Sequence, residues 1–131
     1  MSTRTELRVT PLPGPFGVAV AGIDLAKASG EEFDRLVDLL HTHHILVVQD
    51  QDLSPPDYVA FGRKWGELVP YFQQRWTLPG WPDILLITNE AVPGRALPPA
   101  ENWHADGTYL PQPHSATMLY GREAPCEGGD V

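Results

Sequence analysis

Apolar residues in this chain fall into short runs divided by prolines, and only two stretches repeat at helical spacing. Residues 9–17 contain Pro11, Pro13 and Pro15, which lack the amide donor a helix interior needs, so this segment is expected to be extended. Residues 18–23 (V-A-V-A-G-I) predict a short strand. Ser29 with Glu32 three positions later makes a capping box ahead of Phe33, Leu36, Val37 and Leu40. That pattern predicts a helix over 31–43. Residues 45–49 are mostly β-branched or apolar, are bounded by Asp50-Gln51-Asp52, and predict a second strand.

Ser54 followed by Pro55 and Pro56 marks another helix start, because proline is tolerated where the amide has no intrahelical partner. Tyr58, Phe61 and Trp65 are expected to line the inner face of this helix, and Gly66 to end it. Residues 67–83 are aromatic and irregular, 84–88 predict a buried strand, and 90–101 form a proline-rich loop. Residues 116–120 predict a last strand, closed by Gly121. The pattern is mixed α and β, without internal repeats or a domain boundary.

Composition narrows the function. In 131 residues, 17 acids face 9 bases for a net charge of −8, which argues against a nucleic-acid partner, since such proteins carry a basic face. A single cysteine excludes an internal disulfide framework and fits a reducing compartment. The first 17 residues have no signal-peptide pattern, and the longest aliphatic runs, 45–48 and 84–87, are far too short to span a bilayer. The expectation is a soluble, cytoplasmic chain with no membrane partner. The 14 prolines are about twice ordinary usage, and their placement between apolar runs points to ordered loops.

Candidate chemistry sits at Trp103-His104-Ala105-Asp106. If this is a strand, residues two apart share a face, so His104 and Asp106 converge on one ion. An imidazole nitrogen and a carboxylate oxygen suit Fe(II), and one more histidine completes the facial triad of non-haem iron oxygenases. His-x-Asp alone is common, and a histidine hydrogen-bonded to a nearby carboxylate gives the same three residues. His114 reads as a loop histidine without a partner. His41, His43 and His44 read as helix-end residues meeting the negative end of the dipole. Cys126 has no catalytic-cysteine signature, and Arg75 and Arg95 read as solvated charge. Trp103 is expected to pack beside the pair and orient His104.

The surrounding residues carry more. Residues 102–131, N-W-H-A-D-G-T-Y-L-P-Q-P-H-S-A-T-M-L-Y-G-R-E-A-P-C-E-G-G-D-V, resemble the iron-binding stretch of the 2-oxoglutarate-dependent taurine dioxygenase-like (TauD/TfdA) family. G-V-A-V-A-G-I-D-L at 17–25, L-V-V-Q-D-Q-D-L-S at 46–54 and F-G-R-K-W-G-E-L at 61–68 extend the resemblance in order. It implies an α+β chain built as an incomplete double-stranded β-helix (a cupin-like jelly roll), with N-terminal helices packed on the sheet. It also implies an enzyme that couples oxidative decarboxylation of 2-oxoglutarate by dioxygen to hydroxylation of a small organic substrate bearing a sulfonate or carboxylate. Carried over, His104 and Asp106 are iron ligands, and Tyr71 and Gln74 match substrate-contact positions.

Two departures stand beside the match. The family's third ligand is a histidine far downstream, followed by an arginine that pairs with the co-substrate's distal carboxylate, and neither has a counterpart here. The family's Gly-Gly-Asp-Thr turn is Gly128-Gly129-Asp130-Val131, so the position that contacts 2-oxoglutarate lacks its hydroxyl. The expectation is that residues 1–131 are the N-terminal part of one catalytic domain, with the C-terminal part absent and the chain inactive alone. The alternative is a non-catalytic fragment or association module that self-associates through exposed strands.

Overall fold

The computed structural model describes residues 7–88 and 103–123, and the chain divides into two units, Met1–Lys64 and Trp65–Val131. In the first, strand β1 (Arg8–Pro11) pairs antiparallel with β2 (Val18–Ala21), from Arg8 opposite Ala21 to Pro11 opposite Val18. β1 is an edge strand, which is why Pro11 can sit in it despite its missing donor. The chain then forms helix α1 (Gly30–His43) and returns as β3 (Leu46–Val48), parallel to β2 with Val18 opposite Leu46. Helix α2 (Pro55–Trp65) closes the unit.

Local chemistry explains where these elements begin and end. The Ser29 hydroxyl accepts from the Glu32 amide at 3.3 Å, and the Ser29 amide donates to Glu32 Oε2 at 2.8 Å, completing the capping box. At the other end His44 adopts a left-handed conformation (φ 68°) and its amide donates to Leu40 O at 2.7 Å. α2 begins as its prolines predict, with the Ser54 hydroxyl accepting from the Asp57 amide at 3.4 Å. Its buried residues are Val59, Phe61 and Gly62, while Tyr58 and Trp65 are only half-buried. The inner face is therefore turned toward Val59 and Gly62 from the expected aromatic line.

The core of this unit joins Val18 and Val20 to Ile23, Leu25, Leu36, Leu53, Val59 and Phe61. The Phe33 and Phe61 rings meet edge-on, centroids 6.1 Å apart, and Lys64 lies 5.8 Å over Phe33 while donating to Ala28 O at 2.7 Å. Gln51 ties loop to loop. Its amide nitrogen donates to Ile23 O at 2.8 Å and Gln49 O at 2.7 Å, and its oxygen accepts from the Leu25 amide at 2.9 Å. Gly17 has φ 97°, and a Cβ there would lie 2.9 Å from Leu12 Cδ1 and 3.3 Å from Ile45 Cβ. Its amide donates to His43 O at 2.9 Å, anchoring the start of β2 to the end of α1.

In the second unit a 3-10 turn (Gln74–Trp76) leads into β4 (Thr77–Leu78), which pairs antiparallel with β5 (Trp81–Leu85) through a bulge. Residues 67–83, expected to be irregular, thus contain a turn and most of a hairpin. Gln73 Oε1 fastens it by accepting from Trp76 Nε1 at 2.9 Å and Arg75 at 3.0 Å. The strand expected at 84–88 starts earlier, at Trp81, and its pairing ends where Thr77 faces Leu85, leaving Ile87 exposed. The strand expected at 116–120 is not formed among the described residues: the segment has no ladder partner there, and Leu119 is exposed. The loop expected at 90–101 lies outside the described residues. Among the described residues no helix is long and apolar enough to cross a membrane.

This packing sets an order of sensitivities. Leu36→Ala, at a fully buried site, should cost about 2–5 kcal/mol, and Ser29→Ala about 1 kcal/mol. Gly17→Ala should cost more than Gly30→Ala, since a Cβ at Gly30 meets nothing within 4 Å. Urea denaturation of the four variants checks the order.

Candidate metal centre

His104 and Asp106 do come together, by a different route from the strand alternation considered above. Residues 103–105 are irregular and 106–109 form a turn. The His104 Nε2 to Asp106 Oδ1 distance is 3.2 Å, with both side chains open to solvent. The turn follows from local chemistry. Gly107 takes φ 70°, its carbonyl accepts from the Leu110 amide at 2.9 Å, and the Thr108 hydroxyl donates to Ala105 O at 3.3 Å.

The segment that follows Pro111 and Pro113 folds back on this turn. The Thr117 hydroxyl donates to Asp106 Oδ2 at 2.8 Å. The His114 ring lies over Gly107, so that a Cβ on Gly107 would sit 2.8 Å from His114 Cγ and 2.9 Å from Cδ2. His114 Nε2 is buried with no hydrogen-bond partner among the described residues. A buried polar atom left unpaired costs about 1–3 kcal/mol, so this ring position carries a penalty. Neither Gly107 nor Thr117 stood out in the sequence. Gly107 had a legible signal, a glycine directly after a candidate ligand, whereas Thr117 lies 11 positions from its partner and had none.

The donor set suits a divalent transition metal. Imidazole nitrogen and carboxylate oxygen bind such ions at about 2.0–2.2 Å, so two adjacent coordination positions place the donors about 3 Å apart. The observed 3.2 Å matches that spacing, and it is equally the spacing of a direct imidazole–carboxylate pair. Among the described residues no group of three or more His, Cys, Asp or Glu side chains could hold an ion, so His114 does not act as a third ligand to the pair.

The other candidate residues are placed as follows. Tyr71 and Gln74 are joined to each other: the Gln74 side-chain amide donates to Tyr71 O at 2.6 Å, and the Tyr71 ring packs on Phe72 at 4.7 Å. Trp103 is fully exposed, so it does not brace His104 as expected. Arg75 is exposed but not free, lying 5.7 Å from the Trp76 ring as well as bonding Gln73. His41 and His43 stand in the last turn of α1, with His44 as its C-cap. Arg95, Cys126 and Val131, with the Gly-Gly-Asp-Val segment at 128–131, lie outside the described residues.

Residues 8–130 match the family model described as taurine catabolism dioxygenase TauD, TfdA family. Pentalenolactone F synthase of Streptomyces arenae is 27% identical, with 94% of this chain and 44% of that protein aligned. The (S)-phenoxypropionate/alpha-ketoglutarate-dioxygenase of Delftia acidovorans is 27% identical over 96% of this chain and 45% of its own length. The alpha-ketoglutarate-dependent sulfonate dioxygenase of Saccharomyces cerevisiae is 25% identical over 96% of this chain and 32% of its own. This chain therefore spans less than half the length of these relatives. A crystal structure of a Burkholderia xenovorans protein described as an alpha-ketoglutarate-dependent taurine dioxygenase superposes with a TM-score of 0.54 at 26% identity, covering 59% of this chain and 28% of that one.

The turn itself yields a prediction. Gly107→Ala should destabilise the chain by about 1–3 kcal/mol, because alanine strains at φ 70° and its Cβ collides with the His114 ring. Gly121→Ala, where a Cβ meets nothing within 4 Å, should be near neutral. Urea midpoints of both variants test the contrast, and the His114 ring proton resonances should shift only in the first.

Proposed function

Because the chain belongs to the TauD/TfdA family of dioxygenases, we propose that residues 1–131 form the N-terminal part of one catalytic domain of an Fe(II)- and 2-oxoglutarate-dependent dioxygenase. In this reading the two small sheets belong to an incomplete double-stranded β-helix, with α1 and α2 as its N-terminal helices. His104 and Asp106 hold the iron. The observation that carries the proposal is the 3.2 Å approach of His104 Nε2 to Asp106 Oδ1 inside the matched stretch.

Bound there, Fe(II) supplies the activation of dioxygen that couples decarboxylation of 2-oxoglutarate, to succinate and carbon dioxide, with hydroxylation of a substrate C–H bond. The chain's own contribution is orientation. His104 presents a ring nitrogen and Asp106 a carboxylate oxygen, 3.2 Å apart and directly ahead of the Gly107 turn. Both side chains are open to solvent, which leaves room for co-substrate and dioxygen to approach.

The substrate class is a small organic molecule bearing a carboxylate or sulfonate. The names of the phenoxypropionate and sulfonate dioxygenases support it. Tyr71 and Gln74 are the proposed substrate contacts, and position 131 the co-substrate contact, where valine supplies shape without a hydroxyl.

Only two donors come together among the described residues, so iron affinity should be modest and should depend on both. In anaerobic Fe(II) titrations, His104→Ala and Asp106→Ala should each bind at least tenfold more weakly than the parent chain. Equal uptake by all three would refute the ligand assignment. With iron, ascorbate and 2-oxoglutarate, the 131-residue chain alone should release no succinate above a metal-free control, and clear release would show that two family ligands suffice.

A further inference from the structure

Asp106 has two oxygens in different environments. Oδ1 faces His104 Nε2 at 3.2 Å, and Oδ2 accepts the Thr117 hydroxyl at 2.8 Å. We propose that Thr117 is a positioning residue that fixes Asp106 as a one-oxygen metal ligand, holding Oδ2 so that Oδ1 is the oxygen presented beside His104. The inference rests on the assignment of His104 and Asp106 as iron ligands and adds a residue that assignment does not need.

The physical case has three parts. A carboxylate on a short side chain can turn about its Cβ–Cγ bond and offer either oxygen or both, and a donor fixed on one oxygen narrows that choice. Partners of this kind, bonded to a ligand rather than to the metal, typically change metal affinity by 10–100-fold. The donor is a hydroxyl, so it brings no positive charge that would compete with a divalent ion. Valine at this position would keep the shape and remove the donor.

The second observation is how Thr117 is placed. Three residues before it, the His114 ring covers Gly107, the residue that directly follows Asp106. Residues 114–117 therefore meet the Asp106 turn twice, at the backbone through an imidazole face and at the carboxylate through a hydroxyl. Thr117 arrives at Oδ2 as part of a segment already docked on the turn.

The test is anaerobic Fe(II) binding by equilibrium dialysis, with the urea midpoint of the metal-free protein measured alongside. Thr117→Val should weaken Fe(II) binding about tenfold with an unchanged urea midpoint, and Thr117→Ser, which restores the hydroxyl, should bind within about threefold of the parent chain. Parent-like affinity in Thr117→Val would overturn the inference and leave the ligand assignment standing. So would a loss of affinity accompanied by a matching loss of stability, or one that serine does not rescue, since either marks a merely structural role. If His104→Ala and Asp106→Ala bind iron as the parent does, the ligand assignment itself fails. The two failures are thus distinguishable.

Discussion

The left-handed turn at Gly107 is the constraint on which the candidate site depends. His104 and Asp106 are separated by one residue in irregular backbone, so no strand pleat aligns them, and the direction of the chain after Asp106 decides where the carboxylate goes. At φ 70° glycine turns with the least strain, and the missing side chain is also the space the His114 ring fills. A larger residue would both strain the turn and expel the ring. Displacing the ring would in turn disturb the segment that brings Thr117 to Asp106. Backbone conformation, ring packing and carboxylate orientation are therefore one coupled arrangement.

The first unit solves a different problem, that of joining short strands whose ladders are too small to be stable alone. β3 has three residues and β1 and β2 four each, so hydrogen bonds outside the ladders matter. Gly17 connects the start of β2 to the C-terminus of α1, and Gln51 satisfies three backbone groups in the loops around Ile23 and Gln49. Lys64 does comparable work at the end of α2, reaching Ala28 O with its ammonium while its charge lies over Phe33. Polar side chains thus stitch together elements whose apolar faces are narrow.

What could be read from the residues follows the range of the interactions. The helices were legible because their signals are local: Ser29 with Glu32, the Ser54-Pro55-Pro56 start, and apolar residues three and four apart all act within one or two turns. The β4–β5 hairpin was less so, because its turn, Pro79-Gly80, sits amid aromatic residues that hide the alternation. Residues 116–120 have the composition of a strand, yet a strand exists only with a partner, and composition does not say whether one is near. At the site, the pairing of His104 with Asp106 was legible, although irregular backbone and a turn, not pleat alternation, bring the two side chains together. Thr117 was invisible because its hydrogen bond spans 11 positions and depends on a turn and two prolines between.

The exposure of the pair bears on why it is held from outside. An imidazole and a carboxylate in contact with water attract one another weakly, and exposed ion pairs typically contribute about 0–1 kcal/mol. Their mutual attraction is too small to keep Nε2 and Oδ1 at 3.2 Å against the freedom of two side chains. The arrangement instead owes its definition to three further contacts: the glycine turn that follows Asp106, the His114 ring against it and the Thr117 hydroxyl on Oδ2. A divalent cation gains from such an arrangement because the ordering cost is met in folding rather than at binding. The chain's net charge of −8 further favours the approach of cations over anions.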